Sequence, residues 1–439
     1  MNTPKKEFKK KKSLQLVRGM KDILPEEQRY WDFCRDLVDK LARAHGFERI
    51  DTPVLEFTEL FVRAVGQVTD IVEKEMYSFV DQGDDHLALR PEGTAGVVRS
   101  YIEHGMLNLP QPVKLYYFAP MFRRDKPQAG RYRQHFQFGF EIIGEAEAVV
   151  DAQVILIAYK IYQAINLPVN IQINSIGCPS CRPEYENELK DYLKKQKNKL
   201  SEISQARLIK NPMRVLDSKE KEDAEIIAEA PQQIDFLCEN CRNHFTQVLE
   251  YLDELEVPYS LNPTIVRGLD YYTRTAFEIW AGTEEGGRQS ALGGGGRYDG
   301  LVEQLGGNPT PAVGFACGVE RFVSQIKETD FKVPDRLRPE IFLAQLGIEA
   351  RKKVLALFED LQAAGIKVVE NFSKSGLKPQ LEMANKLGVK FTMILGQKEI
   401  IDDTIMIRDM ENGIQEVVDF HKAVAEIKKR LEKSVVSDK

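Results

Sequence analysis

The sequence predicts an α+β domain built on a mainly antiparallel sheet, carrying a helical insertion and followed by a small α/β domain. Three observations lead to this expectation. Upstream of residue 326, β-forming runs are joined by polar hairpin-like segments and the helices gather between them, unlike the strict strand–helix repeat of a parallel sheet. From Cys178 to about Tyr259 the pattern turns mostly helical and highly charged, with KQKNKLSEISQARLIKNP breaking it into pieces. Past the polar, proline-containing KETDFKVPDRLRPE, apolar runs alternate with helical segments. The expected boundaries are a basic tail over 1–15, a first domain over 16–325 with the insertion at 178–259, a linker over 326–338, a second domain over 339–431 and a tail over 432–439.

In chain order, Pro25 with Glu26 and Glu27 opens a helix whose first turn carries the favoured acidic charge; Trp31, Leu37, Val38 and Leu41 recur at helical spacing, and Gly46 ends it. FERIDTPVLEF alternates around Pro53, which suits a sheet edge or an interface. Strand-like runs follow at Glu75 to Val80 and Val113 to Pro120, with helix-like GTAGVVRSYIEHG between them. Lys114 to Gly144 reads as a strand, a polar loop and a returning strand; a helix is expected over Glu147 to Ala164 and a strand at VNIQINSIG. After the insertion come strand-like Thr264 to Ala281, a Gly-rich turn at Gly293 to Gly296 and a helix containing Val319 to Ile326. The last domain offers IFLAQL, IKVVEN, FTMILG and TIMIRD as strands, with helices around Ala350 to Ala364 and Lys378 to Leu387.

Composition narrows the class. A chain of 439 residues with 43% apolar and 29% charged residues can bury several ordinary cores. No apolar run approaches the roughly 18 residues of a membrane span, and the start lacks the apolar core of a secretion signal, so a cytoplasmic protein with no membrane partner is expected. A net charge of -6 excludes holding nucleic acid by global attraction and leaves that task to local basic patches. Lys5, Lys6, Lys9, Lys10, Lys11 and Lys12 form one such cluster, whose bland reading is a solvated tail and whose functional reading is RNA contact. Six cysteines are too few for a disulfide scaffold, so reduced thiols are expected.

Chemistry concentrates in a few segments. In PMFRRDKPQAGRYRQHFQFGFE, Arg123 falls near the end of the outgoing strand, while Gln137, Gly139 and Glu141 share one face of the returning strand through the period of two. Arg124, Lys126, Arg131 and Arg133 make the intervening loop net positive, and Gln128 and Gln134 offer donors and acceptors. An exposed, solvated hairpin competes with that functional reading. LRPEGT sets Arg90 and Glu92 about a proline with Thr94 opening a helix; Glu92 suits either an ammonium group or the helix dipole. In RGLDYYTRTAFE, Arg267, Asp270, Tyr272 and Arg274 interrupt a strand-forming run, and an apolar-walled arginine needs an anionic partner such as phosphate. GGGGRYDG, ending in Arg297 and Tyr298, is either a plain turn or a place where a ligand lies close to the backbone; it matches neither the P-loop nor GxGxxG. GFACGVERF brings Arg321 to the start of a helix, with Cys317 more suited to the core than to nucleophilic attack.

Taken together and in this order, these segments resemble the class II aminoacyl-tRNA synthetases and, within them, the histidyl-tRNA synthetases. GFERIDTPVLE is similar to that family's first motif, FRRDKPQAGRYRQHFQFGFE to its second and GFACGVERF to its third; RGLDYY and GGGRYDGL resemble its two histidine-specific motifs. The resemblance implies ATP-dependent activation of L-histidine and transfer to the 3′-terminal ribose of tRNA(His), by a homodimer. It implies that Arg123 and Arg267 flank the α-phosphate, that Arg321 holds the outer phosphates, and that Mg2+ bridges β and γ. Arg123, Arg267 and Gln137 are the implied catalytic set. Glu92, Thr94 and Gln137 would take the ammonium group, Glu141 and Tyr272 the imidazole nitrogens, with Arg297 and Tyr298 lining the same pocket. The positive loop would meet the tRNA acceptor end, and residues 339–431 resemble the anticodon-binding domain.

Two departures matter. The second motif has Asp125 where the family usually has glutamate, and His135-Phe136 where Phe-His is common. Cys178, Cys181, Cys238 and Cys241 have the local spacing of zinc knuckles, but further cysteines expected around Ser201 and at Ser218 are missing, so structural zinc, free thiols and a redox pair all stay open. The rival functions are a class II synthetase for another amino acid and an inactive paralogue that regulates a histidine-biosynthetic phosphoribosyltransferase.

Overall fold

The computed structural model describes residues 14–125, 132–282, 291–334 and 338–437. The lysine run from Lys5 to Lys12, and Lys126, Gln128 and Arg131 of the polar loop, lie outside the described residues. The chain forms two compact units, the first ending at Val333 and the second beginning at Pro334.

The first unit is organised by one large sheet. Across it run Glu48–Arg49, Val113–Phe122, Gln134–Ile143, Ala312–Gly318, Ala291–Arg297, Thr273–Ala281, Val169–Ser175 and Tyr259–Leu261. The internal pairings are all antiparallel, and only the two short edge strands pair in parallel. The mainly antiparallel expectation therefore holds. Alternation along the strands divides two cores: Tyr116 and Phe118 join Phe138, Phe140 and Ile142 on one face, whereas Leu115, Tyr117 and Ala119 join the other.

Helix Pro25–Ala44 and helix Ala148–Gln163 cover the first face. Pro25 begins the former because its missing N–H is an unpaired donor position anyway, and Trp31, Cys34, Val38 and Ala42 bury one stripe. Trp31 meets Phe136 edge-on at 5.2 Å, so truncating it to alanine would leave a void costing about 3–5 kcal/mol. Helix Thr94–Glu103 and helix Thr58–Val65 pack on the opposite face, beside a small antiparallel sheet of Leu55–Phe57, His86–Leu89 and Tyr77–Val80.

Several elements differ from the sequence expectation. Gly293 to Gly296 form the middle of a strand, not a turn. A Cβ on Gly295 would stand 2.1 Å from the carbonyl oxygen of Gly314, and one on Gly293 2.3 Å from Cys317 Sγ, so the run of glycines allows close packing between neighbouring strands. The strand expected from Thr264 starts only at Thr273, leaving Arg267 to Tyr272 as a loop. Pro53, in contrast, interrupts strand pairing as its missing N–H led us to expect, and the segment divides into Glu48–Arg49 and Leu55–Phe57.

The region from Cys178 to Tyr259 is helical as read, with helices Arg182–Lys195, Glu202–Lys210, Ala224–Ala228 and Glu239–Glu254. Its last helix, however, sends Phe245, Val248 and Leu252 into the main core. Ser201 and Ser218, the places where further cysteines were expected, donate to Asp223 Oδ2 at 2.8 and 2.5 Å, and Ser204 joins them at 2.5 Å.

In the second unit, Val368–Glu370, Ile341–Gln345 and Phe391–Leu395 pair in parallel, and Thr404–Asp409 and Gln415–Asp419 extend the sheet antiparallel. Ile341 and Leu343 face Leu357 and Leu361 of helix Ile348–Ala363, while Phe342 and Ala344 face Ala384 of helix Leu377–Leu387. Burial on both faces explains why IFLA reads as a continuous apolar run. The strand Gln415–Asp419 was not anticipated, and helix Ala423–Ser437 runs past residue 431 into the stretch expected as a tail.

Candidate active site

A cavity of about 580 Å³ opens on the glycine-rich side of the first unit's sheet. Arg123, Arg267 and Arg321 line it together with Glu92, Thr94, Gln137 and Tyr272, so segments separated by more than two hundred residues meet at one place. Arg123 leaves the end of its strand with Nε donating to the Pro91 carbonyl at 2.8 Å. Arg321 enters from the first turn of helix Val319–Glu328, and its Nη1 donates to the Ala291 carbonyl. Arg267 Nη1 donates to Glu278 Oε1 at 2.6 Å with the guanidinium 5.7 Å above the Tyr272 ring. Its Nε is buried with no hydrogen-bond partner. A Cβ on Gly294 would approach Arg267 Nη1 to 2.7 Å, so that glycine makes room for the guanidinium. Three guanidinium groups meeting at one polar cavity suit an anion with several acceptor oxygens, such as a polyphosphate.

The other end of the cavity is acidic and phenolic. Glu92 accepts from the N–H groups of Thr94 and Ala95, both at 2.8 Å, which fixes it at the mouth of helix Thr94–Glu103. Burial nevertheless raises its carboxyl above the usual range. Glu141 lies one layer deeper, beneath Gly314: Thr94 Oγ1 donates to its Oε1 at 2.7 Å and the Tyr298 hydroxyl donates to its Oε2. Burial pushes this carboxyl up to about 8 in spite of those two donors. Tyr117, Tyr271 and Tyr272 complete the wall.

Sequence reasoning missed Tyr117 and Tyr271. The Tyr117 hydroxyl is buried in the wall with no hydrogen-bond partner, which marks a place for a polar ligand group. Two glycines carried the signal: a Cβ on Gly93 or on Gly139 would each come within 2.4 Å of the Tyr117 ring. Both segments are therefore glycine where they face that tyrosine. Arg207, Arg214 and Lys219 of the helical region also line the cavity and were not singled out.

Arg297 and Tyr298 do not line the cavity. Arg297 is fully buried and its guanidinium is engaged by Asp151, by Asp299 Oδ1 at 3.1 Å and by the carbonyls of Glu145 and Glu147 at 2.9 and 3.2 Å. Every face of the fork is used, so none remains for a substrate. Tyr298 is likewise buried and reaches the site through Glu141 and through the ring of Tyr271, 5.6 Å away. The swapped pair also resolves: His135 lines the cavity while Phe136 turns inward to Trp31. Burial and the Arg123 charge hold the His135 imidazole down at about 3, hence neutral. Phe136 N–H donates to both oxygens of Glu320, at 2.9 and 3.0 Å, and burial lifts that carboxyl to about 7. Asp125 also lines the cavity.

Away from this cavity, Cys178, Cys181, Cys238 and Cys241 bring all four sulfurs within 4.8 Å of one another. Neighbouring sulfurs are 3.7 Å apart for Cys178 and Cys181 and 3.9 Å for Cys178 with Cys238 and Cys181 with Cys241. A disulfide needs about 2.05 Å. Four thiolates at about 2.3 Å from a tetrahedral zinc ion stand about 3.8 Å apart, which is the spacing seen.

An antiparallel sheet flanked by helices, with arginines from its second and third motif segments converging on one cavity, defines the catalytic domain of a class II aminoacyl-tRNA synthetase. Comparison with known proteins narrows it. The family model described as histidyl-tRNA synthetase matches residues 19–322, and that of an anticodon binding domain matches residues 340–430. The histidine–tRNA ligase of Dehalococcoides mccartyi strain ATCC BAA-2266 is 47% identical over 95% of this chain and 100% of its own length. That of Desulforamulus reducens is 45% identical over 94% and 98%. Among solved structures, the apo histidyl-tRNA synthetase of S. aureus covers 94% of this chain and 99% of its own, at 36% identity and a TM-score of 0.79. A Bacillus halodurans chain described as an ATP phosphoribosyltransferase regulatory subunit/histidyl-tRNA synthetase shares the fold at 21% identity, with a TM-score of 0.62 over 88% and 99%. The chain belongs to the histidyl-tRNA synthetase family, and it is an enzyme that uses ATP to join histidine to tRNA. Among the described residues no helix is long and apolar enough to cross a membrane.

Proposed function

We propose that the cavity performs both half-reactions with its arginines supplying charge and its acidic end choosing the amino acid. The convergence of Arg123, Arg267 and Arg321 on one cavity carries this reading. Arg123 and Arg267 flank the α-phosphate and Arg321 holds the outer phosphates. The histidine carboxylate attacks the α-phosphorus and pyrophosphate leaves; the 3′-terminal ribose hydroxyl then attacks the adenylate carbonyl, losing its proton as AMP departs. Neither step needs a protein nucleophile, since positioning and charge neutralisation supply the acceleration.

Histidine is chosen by pairing both ring nitrogens. Glu141 spends one acceptor site on Thr94 and one on Tyr298, which leaves lone pairs on both oxygens for an imidazole N–H. The phenols of Tyr272 and the unpartnered Tyr117 face the same end, and Glu92, Thr94 and Gln137 take the ammonium group. An apolar ring entering here would strand these groups without partners.

Mg2+ fits as a companion of the phosphates. Bound together with ATP, the ion would neutralise phosphate charge. Zn2+ belongs to Cys178, Cys181, Cys238 and Cys241 on the spacing above. The acceptor end of tRNA(His) meets the basic loop after Arg123, and the 339–431 domain takes the anticodon. The enzyme works as a cytoplasmic homodimer through the segment around Pro53, where Val54, Leu55 and Phe57 are 36%, 41% and 59% exposed on an edge strand. The regulatory reading is not favoured, because the strong likenesses are to ligases and the second domain is retained. Charging of a tRNA(His) transcript with labelled histidine tests the whole proposal; adenylate formation with no charged tRNA at any concentration would overturn the transfer step.

A further inference from the structure

The four cysteines sit at the two ends of the helical region, where Cys178 and Cys181 lead into it and Cys238 and Cys241 lead back to the main core. The residue after Cys181 ties this neck to the active site. Arg182 stands at the start of its helix with its N–H bonded to the Cys178 carbonyl at 3.0 Å, inside the cysteine turn itself. Its side chain then donates to the carbonyls of Ile176 at 3.1 Å, Gly177 at 3.3 Å and Tyr272 at 2.6 Å. Two backbone bonds run alongside, from Ile176 N–H to the Arg274 carbonyl and from Arg274 N–H to the Gly177 carbonyl, both at 2.8 Å. Arg274 adopts φ +51°, a left-handed conformation that a non-glycine residue keeps only when its surroundings hold it.

A second observation points to a ligand among the sulfurs. Gln233 is buried, and neither its amide nitrogen nor its oxygen has a hydrogen-bond partner. A Cβ on Gly177 would lie 2.9 Å from Cys181 Sγ and 3.0 Å from Gln233 Nε2, so this N–H donor stands beside the cluster. A zinc ion with four thiolates carries a net charge of about −2 and calls for such donors around it.

We infer that the metal at the neck acts as a positioning device for the histidine pocket: by fixing the cysteine turn it fixes Arg182, and through the Tyr272 carbonyl it fixes Tyr272 at the histidine end of the cavity. This rests on the zinc reading proposed above and goes beyond it, because it makes metal occupancy a determinant of histidine affinity. The ion is not in the cavity and takes no part in the chemistry.

The test uses the full chain purified under reducing conditions, with zinc measured per chain. Histidine-dependent pyrophosphate exchange is recorded for the loaded protein, for protein stripped by a chelator, and for stripped protein given Zn2+ alone, with circular dichroism to confirm folding. Loss of the ion raises the histidine KM by about tenfold, the value of one charged hydrogen bond to a buried carbonyl, and leaves the KM for ATP within about twofold. Returning Zn2+ restores it. Arg182→Gln in the loaded protein keeps its zinc and shows the same rise, and this variant decides the matter if stripping unfolds the chain. Less than about a tenth of a metal ion per chain overturns both the zinc reading and the inference. A loaded protein whose histidine KM ignores stripping, or ignores Arg182→Gln, overturns the coupling and leaves the zinc site standing.

Discussion

Thr94 Oγ1 donates to Glu141 Oε1 at 2.7 Å, joining the first turn of a helix to a buried strand carboxylate 47 residues away. This bond places a cavity-wall hydroxyl directly over the acid that the wall hides. In the proposed reading, histidine recognition depends on a carboxyl that is held by Thr94 and Tyr298 before the substrate arrives.

Glu141→Gln is expected to lower kcat/KM for histidine by about a hundredfold with little change in the KM for ATP, since a carboxyl that pairs with the ring is lost from a desolvated site. Steady-state exchange with each substrate varied checks the split.

The same substitution reverses a pH effect. Burial raises the Glu141 carboxyl from 4.5 to about 8, so between those values the folded empty protein holds a proton that the unfolded chain has released. Its contribution to stability is complete below the lower value and declines as pH rises through the upper one. Relative to the parent, Glu141→Gln should gain in Tm as pH is moved from about 5 to about 8.5; an unchanging difference would contradict burial of an ionisable acid here.

Arg267→Gln should reduce the rate of pyrophosphate exchange by about 10²–10³-fold, the effect of removing one preorganised charge from a transition state. Arg267→Lys should not restore it, because an ammonium cannot hold Glu278 and an anion in one planar fork. Single-turnover adenylate formation distinguishes this from slow product release.

Arg297→Met should act on stability, not on substrate contact. Breaking its fully buried pair with Asp151 costs about 3–5 kcal/mol in urea unfolding, and adding Asp151→Leu should recover part of that loss. A raised histidine KM with unchanged stability would instead return Arg297 to the pocket wall.

His135→Phe should keep exchange within about threefold, because the ring it replaces is held neutral and adds no charge to the cavity. Phe136→His should be the damaging member of the pair, since it sets a polar ring against Trp31 and Phe118. Melting temperatures of the two variants check the contrast.

Legibility in the sequence followed the range of the physics. Period-two alternation placed Gln137 and Glu141 on one face and Phe138 and Phe140 on the other, because that rule needs only neighbouring residues. Glycine spoke ambiguously: Gly293 to Gly296 read as a turn from their freedom, whereas their use is the close approach of strands and of Arg267, which depends on partners elsewhere in the chain. Arg297 beside Tyr298 was expected in the pocket from the family resemblance. Its partner Asp151 lies on a helix 146 residues earlier, and no local pattern announces that pairing. The four cysteines were legible as two pairs, while the meeting of the pairs was a matter of fold.

The most direct measurement of the central claim is ATP–pyrophosphate exchange with the intact chain, driven by each proteinogenic amino acid in turn. Converging arginines beside a pocket built for an imidazole predict exchange with histidine and none of comparable efficiency with any other. A folded protein that exchanges with no amino acid, or with another in preference to histidine, would contradict the account.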